Sequence, residues 1–418
     1  MKLLIKQAKI ICSNTTLHGE IKDIFIEDGV IKNISDYLDV QADKVIASEN
    51  LHVSMGWMDV FAQFSDPGFE YRESLESGIA AAAAGGFTNV MIAPNTNPTL
   101  SSKTQIEYIV QKSSSYAVTI HPIGSITKNA EGKELTEMYD MHQSGAIAFS
   151  DGKNSLQNAG IMIKALQYVL ANQSVIIQIP DDKSIAANGL INEGIISTQL
   201  GLPGKPAIAE ELMISRDIEL AKYTNSKLHI TGVSTRRSIE IINEAKQLGV
   251  NVTASATPYH AYFCDEDLID YNTNLKVNPP LRTHNDMLSV KEAIAEGVIN
   301  CIASHHTPLH SDEKNCEFEY AKFGMIGLEN VFGVLNGISK NVDTLINQLT
   351  TNPRNIFGLP IPKIAEGEMA SLTVFDPTIE YTFEQTNIKS KSANNPFVGK
   401  KLTGKVLGII NNNKTIFN

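Results

Sequence analysis

Residues 56–94, GWMDVFAQFSDPGFEYRESLESGIAAAAAGGFTNVMIAP, decide the fold. Gly56–Gln63 and Thr88–Pro94 are short and almost continuously apolar, the pattern of parallel strands covered on both faces. Leu75–Ala84, between them, reads as a helix of several turns ending in a plain alanine run. Strand, helix and strand then repeat outward along the chain. Further strands are predicted at Ala117–Gly124, Ala146–Asp151, Val175–Pro180, Leu228–Val233, Val252–Pro258 and Cys301–His306. Helices are predicted between them at Leu156–Leu170, Ser238–Leu248 and Met287–Ala295, with Ile163, Leu166 and Leu170 as a core-facing stripe. Eight strands, each followed by a helix or long loop, make an α/β fold of the (β/α)8 TIM-barrel type. An open doubly wound sheet fits less well, because no glycine-rich phosphate fingerprint follows the first strand and a closing eighth strand is present.

Both ends of the chain read differently. Leu3–Ile11, Ile21–Ile26 and Val30–Ile34, with a turn at Asp28-Gly29, are β hairpins, and Ala370–Phe375, Glu380–Phe383 and Leu402–Ile410 share their texture. The expected organisation is a barrel over 53–358 and a small β-sandwich domain built from both termini, 1–52 and 359–418.

Bulk chemistry narrows the function. The 418 residues carry a formal charge of −11, which repels phosphate backbones and anionic lipid, and the longest basic runs are dipeptides such as Arg236-Arg237. No nucleic-acid or membrane role is expected. Four cysteines (Cys12, Cys264, Cys301, Cys316) without a Cys-x-x-Cys pair fit a reducing cytoplasm, so a cytoplasmic protein is expected.

Barrel chemistry collects where strands end. Those ends carry Phe61 and Gln63, then Asn95, His121, Asp151, Gln178, Gly232, Thr257 and His305-His306. A hydrolytic metal site needs three or more His or carboxylate ligands and an open position for water. One aspartate, an isolated histidine and a histidine pair supply few of them.

Asp66-Pro67-Gly68, Ala80–Asn89, Ala93–Pro98, Phe149-Ser150-Asp151, Thr257–His260, Leu275–Arg282 and Phe323–Glu329 follow one another as in class I dihydroorotases of the amidohydrolase superfamily, and the resemblance spans essentially the whole chain. It implies zinc held by an Asp-x-His-x-His strand, two further histidines and a bridging carboxylate. Here the first motif reads Asp59-Val60-Phe61-Ala62-Gln63, the later histidine positions hold Gln178 and Gly232, and the acid/base aspartate is matched by His305. Ser65 stands where the family places the arginine that grips the substrate carboxylate. Of the metal centre only Asp151 remains, so it and His305 are vestigial catalytic positions. Asn95 and Asn278 match the family's substrate-binding amides.

Phenyl and glycine cannot bind zinc, and a glutamine amide is poor beside the imidazole it replaces. The expectation is therefore a dihydroorotase-like protein of pyrimidine biosynthesis with no cofactor and no catalysis, in a structural or regulatory role. The resemblance implies a homodimer and a partner, aspartate transcarbamoylase. Two alternatives stay open. The first is an active cyclic-amide hydrolase, turning dihydroorotate and water into N-carbamoyl-aspartate on a relocated zinc site of Asp151 with His305, His306 and His310. The second is a binder of dihydroorotate or carbamoyl aspartate without turnover. For His121, a satisfied strand histidine is weighed above a ligand.

Overall fold

The computed structural model describes residues 1–339 and 341–418. Eight parallel strands lie in chain order: Trp57–Ala62, Phe87–Ile92, Thr119–Gly124, Ala148–Phe149, Val175–Gln178, Lys227–Thr231, Val252–Ala256 and Cys301–Ile302. Helices Leu75–Ala84, Lys103–Ser113, Ala159–Tyr168, Ile208–Thr224, Arg236–Gln247 and His284–Ala295 pack around them. The chain therefore forms the predicted barrel. Its outward-facing strand residues, among them Val90, Ile120, Phe149, Ile176 and Ile230, meet the helices in one large apolar cluster. Met58, Val60, Met91, Ile123, Ile177 and Ala303 join a second cluster.

Closure takes place beyond the short eighth strand. His305 N–H donates to the Phe61 carbonyl at 3.0 Å, and Gln63 N–H donates to the His306 carbonyl at 2.7 Å. Below this seam the fully buried Asp59 carboxylate accepts from Ser304 N at 2.6 Å and from Ser304 Oγ at 2.7 Å. Burial pushes the Asp59 carboxyl up to about 7, against the pull of the two Ser304 donors.

Both termini join one separate eight-stranded sheet. His52–Met55 from the N-terminal part pairs antiparallel with the start of Leu372–Thr382 from the C-terminal part. Leu3, Ile5, Ile24, Val53, Leu372 and Val374 form a core of their own there. The two strands predicted at Ala370–Phe375 and Glu380–Phe383 are one, Leu372–Thr382. Pro377 interrupts the pairing with Lys401–Asn411 between Asp376 and Glu380, but the chain stays extended through the irregularity. The stripe on Ala159–Tyr168 is also corrected. Met162, Ala165 and Leu166 are buried, whereas Leu170 is exposed because the helix tightens into a 3-10 turn after Tyr168. Among the described residues no helix is long and apolar enough to cross a membrane.

Trp57, the only tryptophan, ties the two units together. It is fully buried, with Phe332 and Phe375 rings 4.9 and 5.3 Å away, and its indole N–H donates to Ser54 Oγ at 2.9 Å. Trp57→Ala is expected to lower unfolding stability by about 3–5 kcal/mol, the range for truncating a large buried aromatic. Urea titration of the two proteins measures it, and an unchanged midpoint would refute the role given to this ring.

Candidate functional site

A cavity of about 460 Å³ opens beside the ends of the barrel strands, and Phe61, Gln63, Ile179, Asn278 and His305 are on its wall. The seam between the first and last strands presents Phe61 and His305 side by side, with ring centroids 4.9 Å apart. His305 adopts a left-handed backbone, φ +47°, and Thr231 Oγ1 holds its Nε2 at 2.8 Å. Thr231 is linked in turn through Ser255 to the imidazole of His229, deeper in the barrel. Burial, then repulsion from His260 and His229, holds the His305 imidazole down to about 3.

Gly232 explains how this ring fits. A Cβ on Gly232 would lie 2.7 Å from His305 Cε1, and the backbone there has φ +79°. The imidazole of residue 305 thus occupies the space that a side chain at 232 would need.

The other predicted positions are dispersed. Asp151 lies in the loop after the fourth strand, where one carboxylate oxygen accepts from Thr127 N at 2.8 Å and the other from Thr127 Oγ1 at 2.5 Å. Burial raises its pKa to about 6 although the Thr127 donors oppose the shift. Asn95 braces the same loop: its Nδ2 donates to the Asp151 carbonyl at 3.0 Å and its Oδ1 accepts from Lys153 N at 2.9 Å. Gly152 is required beneath it, since a Cβ there would sit 1.9 Å from Asn95 Oδ1. Gln178 pairs with both backbone groups of Leu156 at 3.3 Å.

The adjacent histidines, beyond the end of the last strand, point apart. His305 is on the cavity wall, whereas His306 is fully buried with its Nε2 3.2 Å from Glu73. His310 caps a short 3-10 turn at the surface. His121 Nε2 meets Asn89 Oδ1 at 2.9 Å, and burial lowers its pKa to about 4. Among the described residues no three His, Cys, Asp or Glu side chains are grouped to hold a metal ion.

Asn278 does reach the cavity. Its Oδ1 accepts from Lys205 Nζ at 2.9 Å and its Nδ2 donates to Asp181 Oδ2 at 3.1 Å. Lys205 and Asp181 are themselves paired at 2.9 Å and nearly buried. This triad was not predicted, because Lys205 and Asp181 come from ordinary loop sequence and acquire meaning only where the loops meet.

A sequence model of the family described as Dihydro-orotase-like matches residues 52–238. Dihydroorotase of Pelotomaculum thermopropionicum is 40% identical over 412 residues, 97% of this chain and 96% of its own. Dihydroorotase of Caldicellulosiruptor saccharolyticus is 41% identical over 424 residues, covering 99% and 98% of the two chains. This chain belongs to the dihydroorotase family. Its fold is that of L-hydantoinase (dihydropyrimidinase) from Arthrobacter aurescens, with a TM-score of 0.84 at 20% identity over 100% of this chain and 96% of that one.

The zinc that the dihydroorotase family implies does not fit the residues present here. Phe61 and Gly232 offer no donor atom, Gln178 is engaged with Leu156, and both Asp151 oxygens take hydrogens from Thr127. His305 turns its Nε2 to Thr231. The site can hold a small molecule against a mixed aromatic and polar wall, but a metal-activated water has no ligand set among these groups.

The lowered pKa of His305 has a measurable sign. An imidazole that stays neutral when folded contributes stability that is present at neutral pH and lost as pH falls below its unfolded value near 6.5. At pH 5 that loss is about 2 kcal/mol for one such group. His305→Gln, which cannot titrate, is expected to shrink the stability difference between pH 7 and pH 5 by roughly this amount. Urea unfolding at both pH values tests it, and parallel pH profiles for the two proteins would contradict the assignment.

Proposed function

We propose that this member of the dihydroorotase family serves pyrimidine biosynthesis in the cytoplasm without hydrolysing dihydroorotate. The observation that carries the reading is the His305 ring lying against Phe61, in the space a side chain at 232 would require. Ring opening of a cyclic amide by this family's chemistry needs a water of lowered pKa and a carboxylate to carry its proton. The groups at the corresponding positions are a phenyl ring, two amides, a bare glycine and an imidazole held neutral. The role left to the barrel is structural or regulatory, acting as a homodimer on a partner enzyme of the same pathway. Aspartate transcarbamoylase is the partner proposed.

Two measurements bear on this. After incubation with excess zinc and gel filtration, the protein is expected to carry well under one zinc per chain and to show no ring opening of dihydroorotate above buffer. Stoichiometric zinc together with turnover that disappears in Asp151→Ala would overturn the reading. Mixing with aspartate transcarbamoylase is expected to give co-elution and a changed transcarbamoylase rate. Separate elution with an unchanged rate removes that partner.

A further inference from the structure

The cavity wall is charged in a way the zinc chemistry of the family does not explain. Arg72, Lys153, Lys183, Lys205 and Lys322 line it, against a single carboxylate, Asp181. This concentration of cations occurs in a chain whose formal charge is −11. Lys205 is neutralised by Asp181. Arg72 is closed in a two-point pair with Glu313, its Nε 2.9 Å from Glu313 Oε2. Lys153, Lys183 and Lys322 form no ion pair and no side-chain hydrogen bond among the described residues. They arrive from three separate segments, the loops after the fourth and eighth strands and the short helix Lys183–Ala186 after the fifth. Lys153 and Lys322 are both open to solvent on this wall.

Unpaired cations gathered at a concave site raise the local concentration of anions and carry a repulsion that an anion relieves. The type of donor selects the anion. Planar carboxylates are best gripped by the guanidinium fork, and the one arginine on the wall already has its fork on Glu313. What remains is a set of ammonium point charges, the lysine mode of phosphate binding. A doubly charged phosphate with three acceptor oxygens can answer three such groups at once. Phe61, Phe69, Tyr259 and Phe323 add aromatic surface to the same cavity. About 460 Å³ lies within the range of small-molecule sites, roughly 300–1,000 Å³.

We propose that this cavity binds a small phosphate ester bearing a flat ring, of the nucleoside monophosphate class, with its phosphate between Lys153, Lys183 and Lys322 and its ring against the aromatic wall. The site does not depend on the chain being non-catalytic, since none of the three lysines stands at a position of the zinc centre.

Isothermal titration of the full-length protein tests it, with uridine monophosphate as probe and uridine, inorganic phosphate and N-carbamoyl-aspartate as comparisons. Uridine monophosphate is expected to bind saturably, at least about tenfold tighter than uridine, and to weaken as salt rises. The Lys153→Met/Lys322→Met double variant is expected to lose at least about tenfold in affinity, as for removal of charge-assisted hydrogen bonds. Both lysines are exposed to solvent, so this variant is expected to keep its circular dichroism spectrum. Inorganic phosphate that competes with the nucleotide supports the placement of the phosphate. Absence of saturable nucleotide binding, equal affinity in the double variant, or binding of carbamoyl aspartate alone would each overturn the proposal.

Discussion

The seam between the first and eighth strands is the constraint on which the molecule depends. The last strand proper ends at Ile302, yet the barrel closes because the chain beyond it continues to pair with the first strand at Phe61 and Gln63. Asp59 secures this by accepting from both Ser304 donors in a fully buried setting, where an unpaired carboxyl is costly. The seam uses backbone groups and residues 59 and 304, and none of the side chains that face the cavity. The side chains at 61, 63 and 305 can therefore vary without breaking these closing bonds. The barrel thus does not depend on which side chains stand at these cavity positions.

Charge is distributed to match. Apart from Asp181, which Lys205 neutralises on the wall, several buried acids lie away from the mouth and are held by donors: Asp151 by Thr127, Glu73 by Ser390 and His306, and Glu210 by Ser234 and Arg282. At the mouth the balance inverts and cations dominate. A site shaped around bound zinc would need the opposite, carboxylates and neutral imidazoles converging on one point. The wall present here suits an anion arriving from solvent.

Much of this was legible from periodicity and motif order. The apolar runs located the first two strands within a residue or two, and Leu75–Ala84 is the helix that its composition suggests. The residues expected at the family's zinc positions could be placed one at a time, because each sits in a recognisable local motif. Relations between distant residues were not readable. That Gly232 and His305 share one volume depends on two strands meeting, and neither residue signals it alone. Asn95 and Asp151 looked like cavity residues, yet Thr127 and the Lys153 amide claim them, a matter of side-chain rotation that spacing does not encode. The longest helix, Ile208–Thr224, is blurred in the sequence because Glu210 and Asp217 are buried among its apolar residues, paired with Ser234, Arg282 and Arg216. The lysines of the mouth are ordinary surface residues until the loops bring them together.

The shared volume of positions 232 and 305 also bears on history. A side chain can return to position 232 only if the imidazole at 305 first shrinks or moves, and the positive φ at Gly232 resists any Cβ even then. The order of any such changes is thus fixed, with position 305 first and position 232 second. The coupling runs in one direction: position 305 can shrink at any time, while position 232 must wait for it.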